Sequence, residues 1–242
     1  MNNRSLARDG KVCLQITHKS KKDRITYEAC AVATEQYAST QFRDAQWDTR
    51  NTKCFNPLVY ISAELSDGLL YINGFYSKSS VVTDLTPADK TIMSGLGRTL
   101  MCFFVQQFPK TTTVELLASG HLHPDIVNKY TKYSQITPID VIRKELSTET
   151  SAWESAKQVH SDINDGAEMP DYQCRSTWVA WKVNEELVSY YKEKFGFRTF
   201  SKPRLYFNSM DLIAQVEEVQ EKCEPLRAVK RQKMELITEI KT

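Results

Sequence analysis

The chain lacks long apolar runs, and this absence separates it from membrane proteins. No run in the 242 residues reaches the roughly 20 apolar positions of a spanning helix. The first residues, MNNRSLARDGK, have no apolar core of the kind that secretory signal peptides carry. No internal repeat and no low-complexity segment is visible. We therefore predict an intracellular protein, cytoplasmic with the nucleus as the alternative location.

An excess of charge of one sign is also absent. The 32 basic and 30 acidic residues leave a net charge of +2, so no overall field favours nucleic acid or a membrane surface. The apolar fraction of 41% is that of a globular protein. The densest basic cluster, which we interpret as a solvated loop, consists of Lys19, Lys21, Lys22 and Arg24.

Clustered metal ligands and cysteine pairs are missing as well. The six cysteines are scattered without a C-x-x-C pair, which predicts free thiols in a reducing compartment. His121 and His123 form an H-x-H, but no third ligand follows at a recognisable spacing. We predict no metal site.

The first half of the chain has the pattern of strands. VYISAEL and LLYINGF alternate around a Ser-Asp-Gly turn, which predicts a β-hairpin from about residue 59 to residue 75. Further strands are expected over Val12–Ile16, Ile25–Thr34 and Val81–Leu85. Thr113–Ser119 predicts another, and the helix before it would complete a βαβ unit.

That preceding helix contains SGLGRTLM, and its start has two interpretations. Thr86 and Pro87 can cap and open one continuous helix to Phe108, with two glycines in its interior. Alternatively the helix opens near Gly95, where glycines let a phosphate approach unpaired backbone amides. Apolar spacing from Leu96 onward is helical in either case.

Helices predominate in the predictions for the rest of the chain. Three short helices are expected, over Asp125–Tyr133, Pro138–Glu145 and Ala152–Ile163, before a loop at residues 163–171. Asn184 is predicted to cap a later helix that Gly196 ends, with a strand over Phe197–Phe200. In the tail, Leu212, Val216 and Val219 form a helical stripe, whereas Met210–Val216 alternatively reads as the last strand of the sheet.

Two motifs in this order, GLGRTLM and NEELVSYYKEKFGFRTF, resemble the GNAT superfamily of acyl-CoA-dependent N-acetyltransferases. The resemblance implies an α/β fold with a mixed sheet in residues 1–208. The chain departs from the family in a predicted helical insertion at about 120–183, where the family has a short connection. A C-terminal helical extension would occupy residues 209–242. Ile92 departs from the family, which has Arg or Gln at that place.

The resemblance also implies acetyl-CoA as cofactor and a primary amine, on a protein or a small molecule, as acceptor. Tyr191, or Tyr190 beside it, would be the general acid. For the base that takes the amine proton, the sequence itself offers Glu64, Glu115, His121 and His123. A homodimer through the C-terminal stripe is a further expectation, and an inactive binding module is the alternative function. The residues implied to bind the cofactor are Val82, Thr83, Leu85, Ser94, Gly95, Leu96, Gly97, Arg98, Thr99, Asn184 and Tyr191.

Overall fold

The computed structural model describes residues 4–8, 12–21, 24–33, 57–77, 87, 93–119, 124–148, 150–200 and 209–224. The chain forms two compact units. The first comprises residues 1–115, 193–197 and 214–242, and the second comprises residues 116–192 and 198–213. Strands and helices occur in both, so the architecture is α/β, as predicted. The predicted strand at Val81–Leu85 lies outside the described residues.

The first unit is built on an antiparallel meander of five strands. These are β1 (Arg4–Arg8), β2 (Val12–Lys21), β3 (Arg24–Ala33), β4 (Val59–Ser66) and β5 (Leu69–Ser77). Each pairs with the next along the chain. The predicted hairpin is confirmed, because Ser66 pairs with Leu69 across a turn in which Asp67 and Gly68 both have positive φ.

The β2–β3 hairpin corrects the interpretation of the basic cluster. Lys21 pairs with Arg24 at the end of the hairpin, so Lys19, Lys21 and Arg24 belong to strands rather than to a loop. Lys19 and Arg24 are exposed, and Arg24 lies 3.6 Å from the Glu64 carboxylate. Strand β2 therefore extends beyond the predicted Val12–Ile16 as far as Lys21.

Helix α1 (Leu96–Val105) packs on β3 and β4 in the first unit. Its buried face includes Leu96, Leu100 and Phe104, at helical spacing. The Phe104 ring meets Tyr27 and Phe108 edge to face, with centroids 6.2 and 5.0 Å away, and this cluster fixes the helix on the sheet. The predicted helix is confirmed from Leu96 onward.

Two more strands lie partly in the first unit. Strand β6 (Thr113–Ser119) begins there, and strand β8 (Ser209–Gln215) ends there. There the strand order continues from β5 through β6 to β8. The amide of Val216 donates to the carbonyl oxygen of Thr112 at 2.9 Å, at the point where β8 ends. The strand prediction for Thr113–Ser119 is confirmed.

The tail corrects the predicted helical stripe. Residues 209–215 are a strand, so the strand alternative for Met210–Val216 is confirmed, and helix α6 occupies residues 216–224. Leu212, Val216 and Val219 are all fully buried within the chain. They therefore offer no surface to a second copy of the protein.

The second unit is mainly helical. It contains α2 (Pro124–Ile136), α3 (Ile139–Thr148), α4 (Thr150–Ile163), most of α5 (Asp171–Phe195) and the short strand β7 (Arg198–Thr199), which pairs with β8. All three predicted short helices are confirmed. Its core is an apolar cluster of Ile142, Leu146, Trp153, Ala156, Met169, Cys174, Trp178 and Trp181. Within the described part of the chain, no helix combines the length and the apolar character that a bilayer crossing requires.

Candidate functional site

The start of α1 decides between the two interpretations of SGLGRTLM. Pro87 and Met93 are helical, but Ser94 and Gly95 form a turn and α1 begins at Leu96. Gly95 has φ of 66°, a left-handed conformation that other residues rarely adopt. One unbroken helix from Pro87 to Phe108 is therefore wrong, and the second helix opens at the glycines.

The N-cap residue of α1 is Gly95, which has no side chain to cap the helix, and no acidic residue lies in the first turn. The first helical hydrogen bond runs from the Thr99 amide to the Gly95 carbonyl oxygen at 2.9 Å, and the Thr99 hydroxyl donates to the same oxygen at 3.0 Å. Amides before Thr99 have no carbonyl one turn back within α1. Ser94 and Gly95 are exposed, so this end of the helix is accessible to solvent.

The side chains around that turn serve the core of the first unit. Leu96 is fully buried, so only its backbone is available to a ligand. Gly97 lies against the Phe75 ring, and a Cβ atom added there would come within 3.3 Å of the ring carbon Cζ. Close packing on the sheet thus accounts for the second glycine, in place of close approach to a phosphate.

The side chain of Arg98 is hydrogen-bonded to the backbone of α6. Its Nη2 donates to the carbonyl oxygen of Lys222 at 2.8 Å, and its Nε is buried without a hydrogen-bond partner. One turn further along α1, Cys102 forms a disulfide with Cys223. Two independent links therefore join α1 to the last described turn of α6.

The disulfide corrects the prediction of free thiols. Cys102 and Cys223 are bonded to each other, and Cys30 is also disulfide-bonded. Cys174 is a free cysteine, and it is buried. Protein disulfides persist in oxidising compartments and are mostly transient in the cytoplasm, so the cysteines no longer argue for a reducing compartment.

The two tyrosines lie on α5. Tyr191 is buried, and burial raises the pKa of its phenol. The rings of Tyr190 and Tyr191 meet edge to face with centroids 5.7 Å apart, and Tyr190 is half-buried. Val188 and Phe195 are buried as well, so the stripe that contains Tyr191 is an apolar face of the helix.

Asn184 is not a helix cap. α5 begins thirteen residues earlier, at Asp171, and Asn184 is buried in its interior. Its side-chain amide donates to the Ala118 carbonyl oxygen at 2.8 Å, within the second unit. This bond gives Asn184 a structural function, in place of the predicted capping and cofactor binding.

Several predicted site residues lie elsewhere or outside the described residues. Glu115 is half-buried on β6, at the end of a segment of the first unit. His121, Val82, Thr83 and Leu85 lie outside the described residues, as do Ile92 and His123. Within the described ranges, no group of three or more His, Cys, Asp or Glu side chains is placed to hold a metal ion.

The sequence did not indicate a charged and aromatic cluster in the second unit. Lys182 lies 4.0 Å from the centroid of the Trp181 ring and pairs with Glu145 and Glu185 at 3.2 and 3.3 Å. Trp178 Nε1 also donates to Glu145 at 3.0 Å. Burial raises the pKa of Glu145, but hydrogen bonds from Trp178 and Lys182 outweigh it and lower the pKa overall. This cluster holds α3 against α5.

A cavity of about 430 Å³ lies elsewhere in the second unit. Its lining includes Arg143 of α3, Trp153 and Lys157 of α4, and Cys174 of α5. Both basic side chains of the lining are ion-paired, because Arg143 lies 3.0 Å from Asp171 and Lys157 lies 2.7 Å from Glu154.

No family model, curated protein or solved structure matches the chain. The resemblance to the GNAT superfamily therefore stays a prediction from the chain's own motifs.

Proposed function

We propose that the protein is an N-acetyltransferase that transfers an acetyl group from acetyl-CoA to a primary amine. The observation that carries this proposal is the start of α1. A left-handed glycine at position 95 precedes a first turn that is uncapped and free of acidic side chains. In the proposed complex the backbone of residues 94–98 holds the pyrophosphate of the cofactor, whereas the predicted contribution of Thr99 is excluded because its amide and hydroxyl both donate to the Gly95 carbonyl oxygen.

The physical basis is the electrostatics of a helix start. The first amides of a helix and its aligned peptide dipoles place a partial positive charge at this end of α1. A capping Ser or Asp would occupy those amides, and an acidic side chain would repel a phosphate. Neither is present, and the exposure of Ser94 and Gly95 leaves room for a phosphate group.

Bound acetyl-CoA supplies an activated thioester, whose carbonyl carbon is attacked by the amine. The leaving sulfur then needs a proton, which a phenol can provide. Tyr191 is protonated at neutral pH, as an ordinary tyrosine is, but burial raises its pKa and so makes its phenol a weaker acid than an exposed one. Tyr190 is the more exposed of the two, so both remain candidates for the general acid. Glu115 and His121 are the proposed alternatives for the base that takes the amine proton.

A matched pair of variants tests the anion site. Gly95→Asp places a carboxylate beside the open amides, whereas Gly95→Asn places a neutral group of nearly the same shape there. No atom lies within 4 Å of the added Cβ, and both residues tolerate left-handed backbone. We expect Gly95→Asp to lose CoA-dependent thermal stabilisation, while Gly95→Asn retains more of it. If purified protein shows no stabilisation by CoA and no CoA release with a panel of amines, the proposed function is wrong.

Separate Tyr190→Phe and Tyr191→Phe variants test the general acid. We expect one of them to lower kcat by about 10²-fold or more, the usual contribution of a positioned acid, with little change in KM for acetyl-CoA. Full kcat in both variants, at unchanged stability, would remove the tyrosines from the mechanism.

The alternative function is a CoA-binding module without catalysis. The burial of Tyr191 favours it, because a fully packed phenol has limited access to a leaving sulfur. Such a module would bind CoA through the same helix start and would release no CoA from acetyl-CoA with any amine. Measuring affinity and turnover on one preparation separates the two functions.

A further inference from the structure

The last described turn of α6 has a single buried anchor. In residues 221–224, Glu221, Lys222 and Glu224 are exposed, whereas Cys223 is fully buried. The preceding turns of α6 are fixed by other contacts. Val216 and Val219 are buried, and Gln220 Nε2 donates to the Val105 carbonyl oxygen at 3.1 Å. The disulfide to Cys102 and the hydrogen bond from Arg98 to the Lys222 carbonyl oxygen therefore both hold residues 221–224 on α1.

This last turn also holds Arg98. The Lys222 carbonyl oxygen accepts from Nη2 of Arg98 at 2.8 Å, and the buried Nε of the same guanidinium has no partner. Arg98 belongs to the first turn of α1, the turn that holds the anion in the proposed function. A helical side chain leans toward the helix N-terminus, so a released Arg98 is well placed to join an anion bound there.

We propose that the Cys102–Cys223 disulfide is a redox latch. Its oxidation state would determine whether the Arg98 guanidinium is free to bind an anion at the N-terminus of α1. This inference rests on the proposed function, because it names the regulation of the same site. In the oxidised protein the last turn of α6 is held down and Arg98 is bound to a carbonyl. In the reduced protein the turn frays, and the guanidinium pairs with the pyrophosphate through two parallel hydrogen bonds.

The reductant is a dithiol. One of its thiolates attacks a sulfur of the Cys102–Cys223 bond, forming a mixed disulfide and releasing the other cysteine as a thiolate. The second thiolate of the reductant then displaces the remaining cysteine. Two electrons pass to the protein, both cysteines take up protons, and the reductant leaves as a disulfide.

Inorganic pyrophosphate is the probe, because the thiol of CoA would itself react with the disulfide. Its affinity is measured by calorimetry on the full chain, before and after reduction with dithiothreitol. We expect binding to be about tenfold tighter after reduction, since one charge-assisted hydrogen bond is gained. The Cys102→Ser/Cys223→Ser variant keeps the disulfide of Cys30 and is expected to bind like the reduced protein without any reductant. Arg98→Gln is expected to bind equally in both redox states.

Hydrogen exchange provides a second readout that needs no variant. Reduction is expected to speed amide exchange at residues 221–224 and to leave the segment before Gln220 protected. Equal pyrophosphate affinity in the two redox states, or unchanged exchange at residues 221–224, would overturn the latch and leave the anion site standing. Absence of pyrophosphate binding in both states would overturn the latch and the proposed function together.

Discussion

The side-chain amide of Asn184, midway along α5, donates to the carbonyl oxygen of Ala118 on β6, and both residues are buried. The bond joins the longest described helix to a strand through a group that prediction placed at a helix end. An asparagine is normally unfavourable inside a helix because its side chain competes for the backbone. Here the side chain instead satisfies the buried carbonyl of Ala118.

Replacing Asn184 tests this bond. Asn184→Ala is expected to lower the free energy of unfolding by about 1–3 kcal/mol, because the buried carbonyl of Ala118 loses its donor. Asn184→Asp is expected to be worse at neutral pH, because a carboxylate oxygen then faces a carbonyl oxygen. The carboxyl group regains donor ability when protonated, so the deficit of Asn184→Asp should shrink as the pH falls. Urea unfolding at several pH values measures both effects, and equal stability of the two variants at every pH would contradict this account.

The same residue shows where prediction from sequence ends. Asn184-Glu185-Glu186 is a good helix start, but so is Asp171 after Pro170, where α5 begins. Local propensity cannot choose between two starts, and the tertiary contact with Ala118 decides. The hairpin at Asp67-Gly68 was predictable because its turn chemistry is local.

The sequence also left the tail ambiguous and did not predict the disulfide, and each has a specific cause. Leu212 and Val216 are four residues apart, a spacing that a strand and a helix share, so the tail stayed ambiguous. The Cys102–Cys223 bond joins residues 121 positions apart, and no spacing rule indicates such a pair. Within the candidate site, Gly95 was recognisable as a helix start, whereas the contact of Arg98 with Lys222 depends on the fold of the tail.

The disulfide is expected to contribute strongly to stability. It closes a loop between residues 121 positions apart, and the chain-entropy model gives about 3–5 kcal/mol for a loop of this size. The Cys102→Ser/Cys223→Ser variant should lose that amount in urea unfolding without reductant. Cys174→Ser, which removes the buried free thiol, serves as the control for substitution of a buried cysteine. A loss no larger than that of the control would show that the bond adds little.

The contact of Gly97 with Phe75 predicts that substitutions at these two positions are energetically coupled. Alanine is a better helix former than glycine by about 1 kcal/mol, but its Cβ would lie only 3.3 Å from the Phe75 ring. Gly97→Ala should therefore destabilise the protein by about 1 kcal/mol when Phe75 is present. Beside Phe75→Leu, the same substitution should become stabilising. A double-mutant cycle measures the interaction energy, and an identical effect in the two backgrounds would exclude this packing explanation.

Buried phenols predict a loss of stability in alkali. Burial, with a smaller contribution from the charge of Glu28, raises the pKa of Tyr60 to about 12, and burial raises that of Tyr191 as well. Both groups have a pKa near 10.0 in the unfolded chain. Below that pH they are neutral in both states and stability is fully present. As the pH rises further, the unfolded chain ionises first, so the free energy of unfolding falls.

Phenylalanine variants identify the groups responsible. Tyr60→Phe and Tyr191→Phe should each reduce the loss of stability between about pH 9 and pH 11, measured by urea unfolding, because each removes one proton that only the unfolded chain releases. Tyr172→Phe is the matched control, since Tyr172 is 73% exposed. If neither Tyr60→Phe nor Tyr191→Phe changes how steeply the free energy of unfolding falls with pH, these hydroxyl groups are accessible to water in the folded protein. Such access at Tyr191 would in turn strengthen its candidacy as the general acid, because a phenol that water reaches is one that a leaving thiolate can reach.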